Sequence, residues 1–371
     1  MKYSRCWSAA SALGIAAAVA SVAGPLAEPA LAAVALAEAA GPEPVAYVTN
    51  QGAGVSVIDL STLKTVRMIA VGRDPRGLAI TPDGRTLVTA NQADADVSLV
   101  DTATGKVIQR VAVGANAEFV RIGPDGRFAY VTYEPSSTGK PPAKGEQGSK
   151  DDQATPAEIA VIDLAKFVVS ARLPASLETE GMDFSPDGRE LIVANEGDDT
   201  VVVYDLASGH AIKKIDISSY GKRPRGVKVS PDGSICLVTL ESSDNFLVLD
   251  SRYNVLKAVA VGQGPYGVAF EPGGAHAWIA AARSGQMQVL DAKTFAPVAS
   301  IPIGKRCWHF TFTPDGQKVL VACGRSNALI VIDAVSLQPV STLTGFDQPW
   351  GIVTYPKASG SLDAPPRNAS H

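Results

Sequence analysis

Beyond residue 40, short apolar runs rich in Val, Ile, Leu and Thr alternate with polar turns along the whole chain. The runs lack helical periodicity and carry many β-branched residues, so each reads as a strand. From Gly77 to Ile80 one run enters the turn Pro82-Asp83-Gly84; Thr86 to Asn91, Val97 to Asp101 and Val107 to Val113 follow. Proline presets φ for the first turn position, aspartate bonds back to the backbone, and glycine accepts positive φ. The spacing predicts a unit of four antiparallel strands.

The unit repeats. Its turn returns at Pro124-Asp125-Gly126, Pro186-Asp187-Gly188, Pro231-Asp232-Gly233, Pro272-Gly273-Gly274 and Pro314-Asp315-Gly316. A second marker, an aspartate ending an apolar run, stands at Asp59, Asp101, Asp163, Asp205, Asp250, Asp291 and Asp333. Both markers step by 41 to 45 residues, and both show a single gap of 62. Four strands in about 42 residues is the length of a propeller blade, and seven aspartates imply seven blades. The aspartates are expected to cap the following turn, as in Asp101-Thr102-Ala103-Thr104-Gly105. Residues 45–72 supply only three strands, and Pro349 to Thr354 supplies the missing first one. The fold class is therefore an all-β seven-bladed propeller over residues 44–356. Its ring is closed by the C-terminal strand pairing with the N-terminal three, which leaves only short, protected edges.

Composition then sets the surroundings. Lys2 and Arg5 precede an apolar run from Ala9 to Ala23, and Ala30-Leu31-Ala32 has the small residues of a cleavage site. Residues 1–32 read as a secretory signal peptide, 33–43 as a flexible N-terminus and 357–371 as a flexible C-terminal tail. The expected location is periplasmic or secreted, with no membrane span after cleavage. A net charge of −4 argues against nucleic-acid binding. The long gap between blades adds an insertion loop, 134–157, without apolar periodicity; a lid or docking arm and a passive insertion are both open readings.

Tyr47-Val48-Thr49-Asn50 is a literal YVTN tetrapeptide, followed by Val57-Ile58-Asp59, Val71-Gly72, Pro75-Arg76-Gly77 and Pro82-Asp83-Gly84. Degenerate copies continue at Val88-Thr89-Ala90-Asn91 and Val193-Ala194-Asn195. In these motifs the chain resembles the YVTN-type seven-bladed propellers. Within them it is most similar to exported propellers associated with alcohol catabolism that depends on the quinone cofactor PQQ. More distantly it resembles the d1-haem propeller of a nitrite reductase. The resemblance implies a fold firmly and a function only loosely.

Candidate chemistry lies where the repeats differ, because equivalent loops gather at one mouth of the central channel. The starts of the inner strands read Arg76, Glu118, Glu180, Arg225, Tyr266, His309 and Trp350, with Trp308 beside them. The ends of the second strands read Asn50, Asn91, Glu134, Asn195, Glu241, Arg283 and Arg325. Cys307 and Cys323 flank the Pro314-Asp315-Gly316 turn almost symmetrically, which makes them disulfide candidates in an oxidising compartment. A pair of free thiols, or a metal site with His309, are the alternatives. Nucleophile-elbow, zincin, P-loop and dinucleotide motifs are absent, and no catalytic residue is nominated. The expectation is a monomeric, non-enzymatic binding protein without cofactor. Its partner would be a small molecule or a periplasmic quinoprotein dehydrogenase. A haem- or metal-binding redox protein using His309 and a lactonase-type hydrolase are the other readings.

Overall fold

The computed structural model describes residues 43–135 and 155–361. The segment expected to be a signal peptide, most of the insertion loop and the end of the tail lie outside the described residues. Among those described, 28 strands form seven four-stranded antiparallel sheets. The first blade holds β1 (Val45–Asn50), β2 (Gly54–Asp59) and β3 (Lys64–Ile69). The second runs β4 (Pro75–Ile80), β5 (Thr86–Asn91), β6 (Asp96–Asp101) and β7 (Lys106–Ala112). The third to seventh blades are β8–β11 (117–174), β12–β15 (179–216), β16–β19 (224–260), β20–β23 (265–302) and β24–β27 (307–344). β28 (Pro349–Tyr355) pairs with β1, completing the first blade as the inner strand the N-terminus lacks.

Apolar residues fill the wedges between blades rather than one central core. Ala46, Val48 and Ile352 of the first blade pack on Leu320, Ala322 and Leu329 of the seventh. Tyr47, Val57 and Val353 pack on Leu78, Ile80 and Leu87 of the second. The closing strand thus contributes to both wedges of its blade. The repeated aspartates cap their turns: Asp101 accepts from the backbone N–H and hydroxyl of Thr104, and Asp333 does the same with Ser336. These hydrogen bonds hold both carboxyls below their ordinary range.

Glycine recurs at the third residue of the inner strand, at Gly77, Gly181, Gly226, Gly267 and Gly351. A Cβ on Gly267 would stand 2.5 Å from the carbonyl oxygen of Trp308, and one on Gly351 would stand 2.8 Å from that of Arg76. Adjacent inner strands approach too closely for a side chain there. The third and seventh blades are the exceptions, carrying Phe119 and His309 at this place.

The chain after β28 differs from the expected free tail. Ala358 and Ser361 are buried. The Phe270 N–H donates to the Gly360 carbonyl at 3.0 Å, and the Phe312 N–H to the Ser361 hydroxyl at 3.1 Å. Residues 357–361 are thereby tied to the far ends of two inner strands, which an irregular sequence of small residues does not announce.

Cys307 and Cys323 face each other across β24 (Cys307–Phe312) and β25 (Lys318–Cys323) and are joined as a disulfide. A metal site using both thiolates is thereby excluded in this state. Closing a 16-residue separation stabilises the fold by about 3 kcal/mol on chain-entropy grounds. The variant Cys307→Ala/Cys323→Ala should unfold at correspondingly lower denaturant; an unchanged midpoint would show the bridge to be energetically idle. Cys236 is a buried free thiol, its pKa pushed up by desolvation.

Candidate functional site

The mouth is built from two repeat positions and one that the repeat motifs conceal. The second residue of each inner strand faces the mouth: Arg76, Glu118, Glu180, Arg225, Tyr266, Trp308 and Trp350 all line it. Residues one or two positions past the ends of the second strands add Gln51, Gln92, Glu134, Glu196, Glu241, Arg283 and Arg325. A third set stands just before the inner strands: Asp74, Asn116, Glu178, Arg223, Gly264, Arg306 and Gln348, all with φ between 49° and 64°. Five of these, Asp74, Glu178, Arg223, Arg306 and Gln348, line the mouth as well. The cavity they enclose has a volume of about 660 Å³, ample for a small molecule.

Charge neutralisation centres on Arg225. Its guanidinium meets Glu180, Glu196 at 2.5 Å and Glu241 at 2.9 Å, and lies over the Tyr266 ring at 5.0 Å. Burial opposes its charge, but Tyr266 and Glu241 outweigh that and raise its pKa. Glu241 also meets Arg306 at 3.4 Å and Arg223 at 3.8 Å. Despite burial, these arginines hold its carboxyl below the usual range. Arg223 pairs with Glu196, and Arg76 with Glu118.

Two carboxyls behave differently. Desolvation raises Glu134 well above a normal glutamate; repulsion from Glu118 and Glu178 adds to it, against Arg225 and Arg76. Its described hydrogen bond is from the Asn116 amide at 3.3 Å. Glu196 is likewise raised by burial, which Arg223 only partly offsets. A carboxyl raised in this way takes up a proton more readily than a solvated one, and a cation brought beside it would favour its ionised form.

Beneath the mouth the channel is closed by rings. His309 stacks on Trp350 with centroids 4.2 Å apart, and lies 5.4 Å from Tyr266 and 5.6 Å from Phe119. His309 is 4% exposed and does not line the mouth. Burial holds its pKa down to about 3, against a backbone hydrogen bond with Trp350. The sequence reading set His309 level with Arg76 and Tyr266; the register makes Trp308 their equivalent. A one-residue slip in a strand exchanges faces. Deeper still, Arg121 of β8 (Ala117–Ile122) and Lys228 of β16 (Pro224–Val229) both pair with Asp183 of β12 (Thr179–Phe184), all three buried.

Of the residues named from sequence, Arg76, Glu118, Glu180, Arg225, Tyr266, Trp308 and Trp350 are brought together, as are Glu134, Glu241, Arg283 and Arg325. Asn50, Asn91 and Asn195 are buried in strand-end hydrogen bonds instead. The reading missed Asp74, Glu178, Glu196, Arg223 and Arg306. Aligning the repeats on the inner-strand proline exposes Asp74 before Pro75 and Arg223 before Pro224, whereas Glu178 and Arg306 precede Thr179 and Cys307 and carry no such marker. No trio of His, Cys, Asp or Glu among the described residues is arranged to hold a metal.

Two family models match parts of the chain: a seven-bladed β-propeller lactonase over residues 121–256 and a YNCE-like β-propeller over residues 7–134. No curated protein matches significantly. Solved structures with a similar fold include the hydrazine synthase of Kuenenia stuttgartiensis, at 22% identity and TM-score 0.66, covering 78% of this chain and 92% of that one. The periplasmic gluconolactonase of Pseudomonas aeruginosa matches at 19% identity and TM-score 0.67, covering 84% and 99%. A dihydro-haem d1 dehydrogenase matches at 22% identity and TM-score 0.61, covering 84% and 75%. At these identities the likeness is one of fold.

Proposed function

We propose that this chain is an exported, non-enzymatic propeller that binds a small polar molecule in its channel mouth. The observation that carries the reading is the 660 Å³ cavity, lined by charged side chains and backed by the rings of Phe119, Tyr266, His309 and Trp350. A concave polar site with a closed floor suits a small ligand better than a flat protein partner. An accessory role in PQQ-dependent alcohol oxidation, beside a quinoprotein dehydrogenase, is the setting suggested by the resemblance of the repeat motifs. Calorimetric titration of the purified chain with polar metabolites tests the binding; Arg225→Ala should weaken it at least about tenfold, since it strips Glu180 of its cation and takes one of the guanidiniums from Glu196 and Glu241. Binding unaffected by Arg225→Ala would move the site elsewhere.

Lactone hydrolysis is the second reading, favoured by the raised carboxyl of Glu134 facing Arg76 and Arg225. The lactonase match covers the blades that supply Glu134, Glu196 and Arg225. In this reading the ionised carboxyl takes a proton from the attacking water. An arginine stabilises the tetrahedral oxyanion, and the ring oxygen leaves with that proton as the ester bond opens. Lactone turnover followed by pH-stat separates the readings. Turnover that falls about 10²-fold or more in Glu134→Gln would replace binding by catalysis; binding without turnover would retire the hydrolase. The haem reading does not fit the residues present, because His309 stands behind Trp350 and Tyr266 rather than in the mouth.

A further inference from the structure

The charges of the mouth are sorted by blade. The third and fourth blades contribute Glu118, Glu134, Glu178, Glu180 and Glu196 and no base; the sixth and seventh contribute Arg283, Arg306 and Arg325 and no acid. In a ring of seven, the third and fourth blades stand across the axis from the seventh. Between the poles, Arg223 and Arg225 neutralise Glu180, Glu196 and Glu241, Arg76 pairs with one oxygen of Glu118, and Arg283 stands 3.8 Å from Asp244. What is left over differs in sign on the two sides.

On the acidic side, Glu118 Oε2 and Glu134 Oε1 lack a hydrogen-bond partner among the described residues, in side chains only 2% and 4% exposed. Buried acceptors without donors are costly and call for one. On the basic side, Arg306 Nε is buried without a hydrogen-bond partner, and the carboxylate of Glu241 is shared among three guanidiniums.

Resting on the small-molecule reading above, we infer that the ligand is a zwitterion. Its ammonium group sits against Glu118, Glu134 and Glu178, and its carboxylate against Arg283, Arg306 and Arg325. An ammonium supplies several donors to the orphaned carboxylate oxygens, and a carboxylate accepts bidentate bonds from guanidinium. A metal ion is the poorer occupant of the acidic pole, because no described cluster there has ligating geometry. A molecule of one charge satisfies one pole and leaves the other as it is.

The test is calorimetric titration of the folded chain with γ-aminobutyrate and ε-aminocaproate, set against hexylammonium and caproate. At least one ω-amino acid should bind about tenfold more tightly than either singly charged analogue. Glu134→Gln or Glu178→Gln should remove that advantage while leaving caproate affinity unchanged, and Arg306→Gln should do the converse for hexylammonium. Glu178 lies before its strand and is half-exposed, so its variant remains informative if Glu134→Gln fails to fold. Caproate binding as tightly as the ω-amino acids would overturn the inference. So would binding of gluconate or gluconolactone without any zwitterion affinity, although the small-molecule reading would then survive. If none of these molecules binds, both readings fall.

Discussion

Replacing Asp183 with alanine is expected to destabilise the fold by about 3–5 kcal/mol, because it takes the buried carboxylate away from two buried cations. Arg121 and Lys228 both contact this carboxylate, Lys228 at 3.2 Å, and none of the three side chains is more than 2% exposed. The second Asp183 oxygen also accepts the Val229 N–H at 2.9 Å. The carboxylate thus ties three consecutive inner strands, β8, β12 and β16, below the aromatic layer. Asp183→Asn keeps the shape and part of the hydrogen bonding but loses the charge, and should fall between the parent and alanine. Arg121→Met in the Asp183→Ala background should recover part of the loss by removing one of these buried cations. Urea unfolding of the four proteins decides it. A loss below about 1 kcal/mol in Asp183→Ala would mean that the cluster contributes little.

Acid should destabilise the protein through His309, and His309→Phe should relieve it. Burial among Phe119, Tyr266 and Trp350 holds the folded pKa to about 3, against 6.5 for a free imidazole. The unfolded chain binds a proton as pH drops below 6.5, and the folded chain does not until about 3. The stability is therefore complete above pH 6.5 and is progressively lost toward pH 3, by about 4 to 5 kcal/mol in all. The capping aspartates add their own loss at the acid end, but they do so equally in both proteins. The gap in unfolding free energy between parent and His309→Phe should thus shift in favour of the variant as pH falls from 7 to 4. Parallel curves would show that His309 is protonated in the folded state, or hydrated, rather than buried as a neutral ring.

The blade count, the strand order and the closure were legible because each rests on local chemistry repeated seven times. Proline, aspartate and glycine act within a few residues of themselves, so Pro82-Asp83-Gly84 or Asp101 means the same wherever it stands. The mouth was legible in part for the same reason: Arg76, Glu118, Glu180, Arg225 and Tyr266 occupy one repeat position. His309 was misplaced because Cys307-Trp308-His309 lacks the Pro-x-Gly frame that sets the register in Pro75-Arg76-Gly77. Glu178, Arg223 and Arg306 escaped notice because their role depends on a left-handed backbone that turns them into the mouth.

The sequence by itself determined that this protein is a ring of seven four-stranded blades, since local turn chemistry and strand periodicity are short-range. Only the tertiary structure decided which charges face each other. Glu134 and Arg225 lie far apart in the chain, and it is ring closure that sets carboxylates from two blades across an axis from arginines of two others. The same closure brings Phe119 and His309 together as the floor of the mouth and buries Asp183 between two cations. Burial and proximity, not residue type, set the protonation of these groups and hence what the mouth can hold.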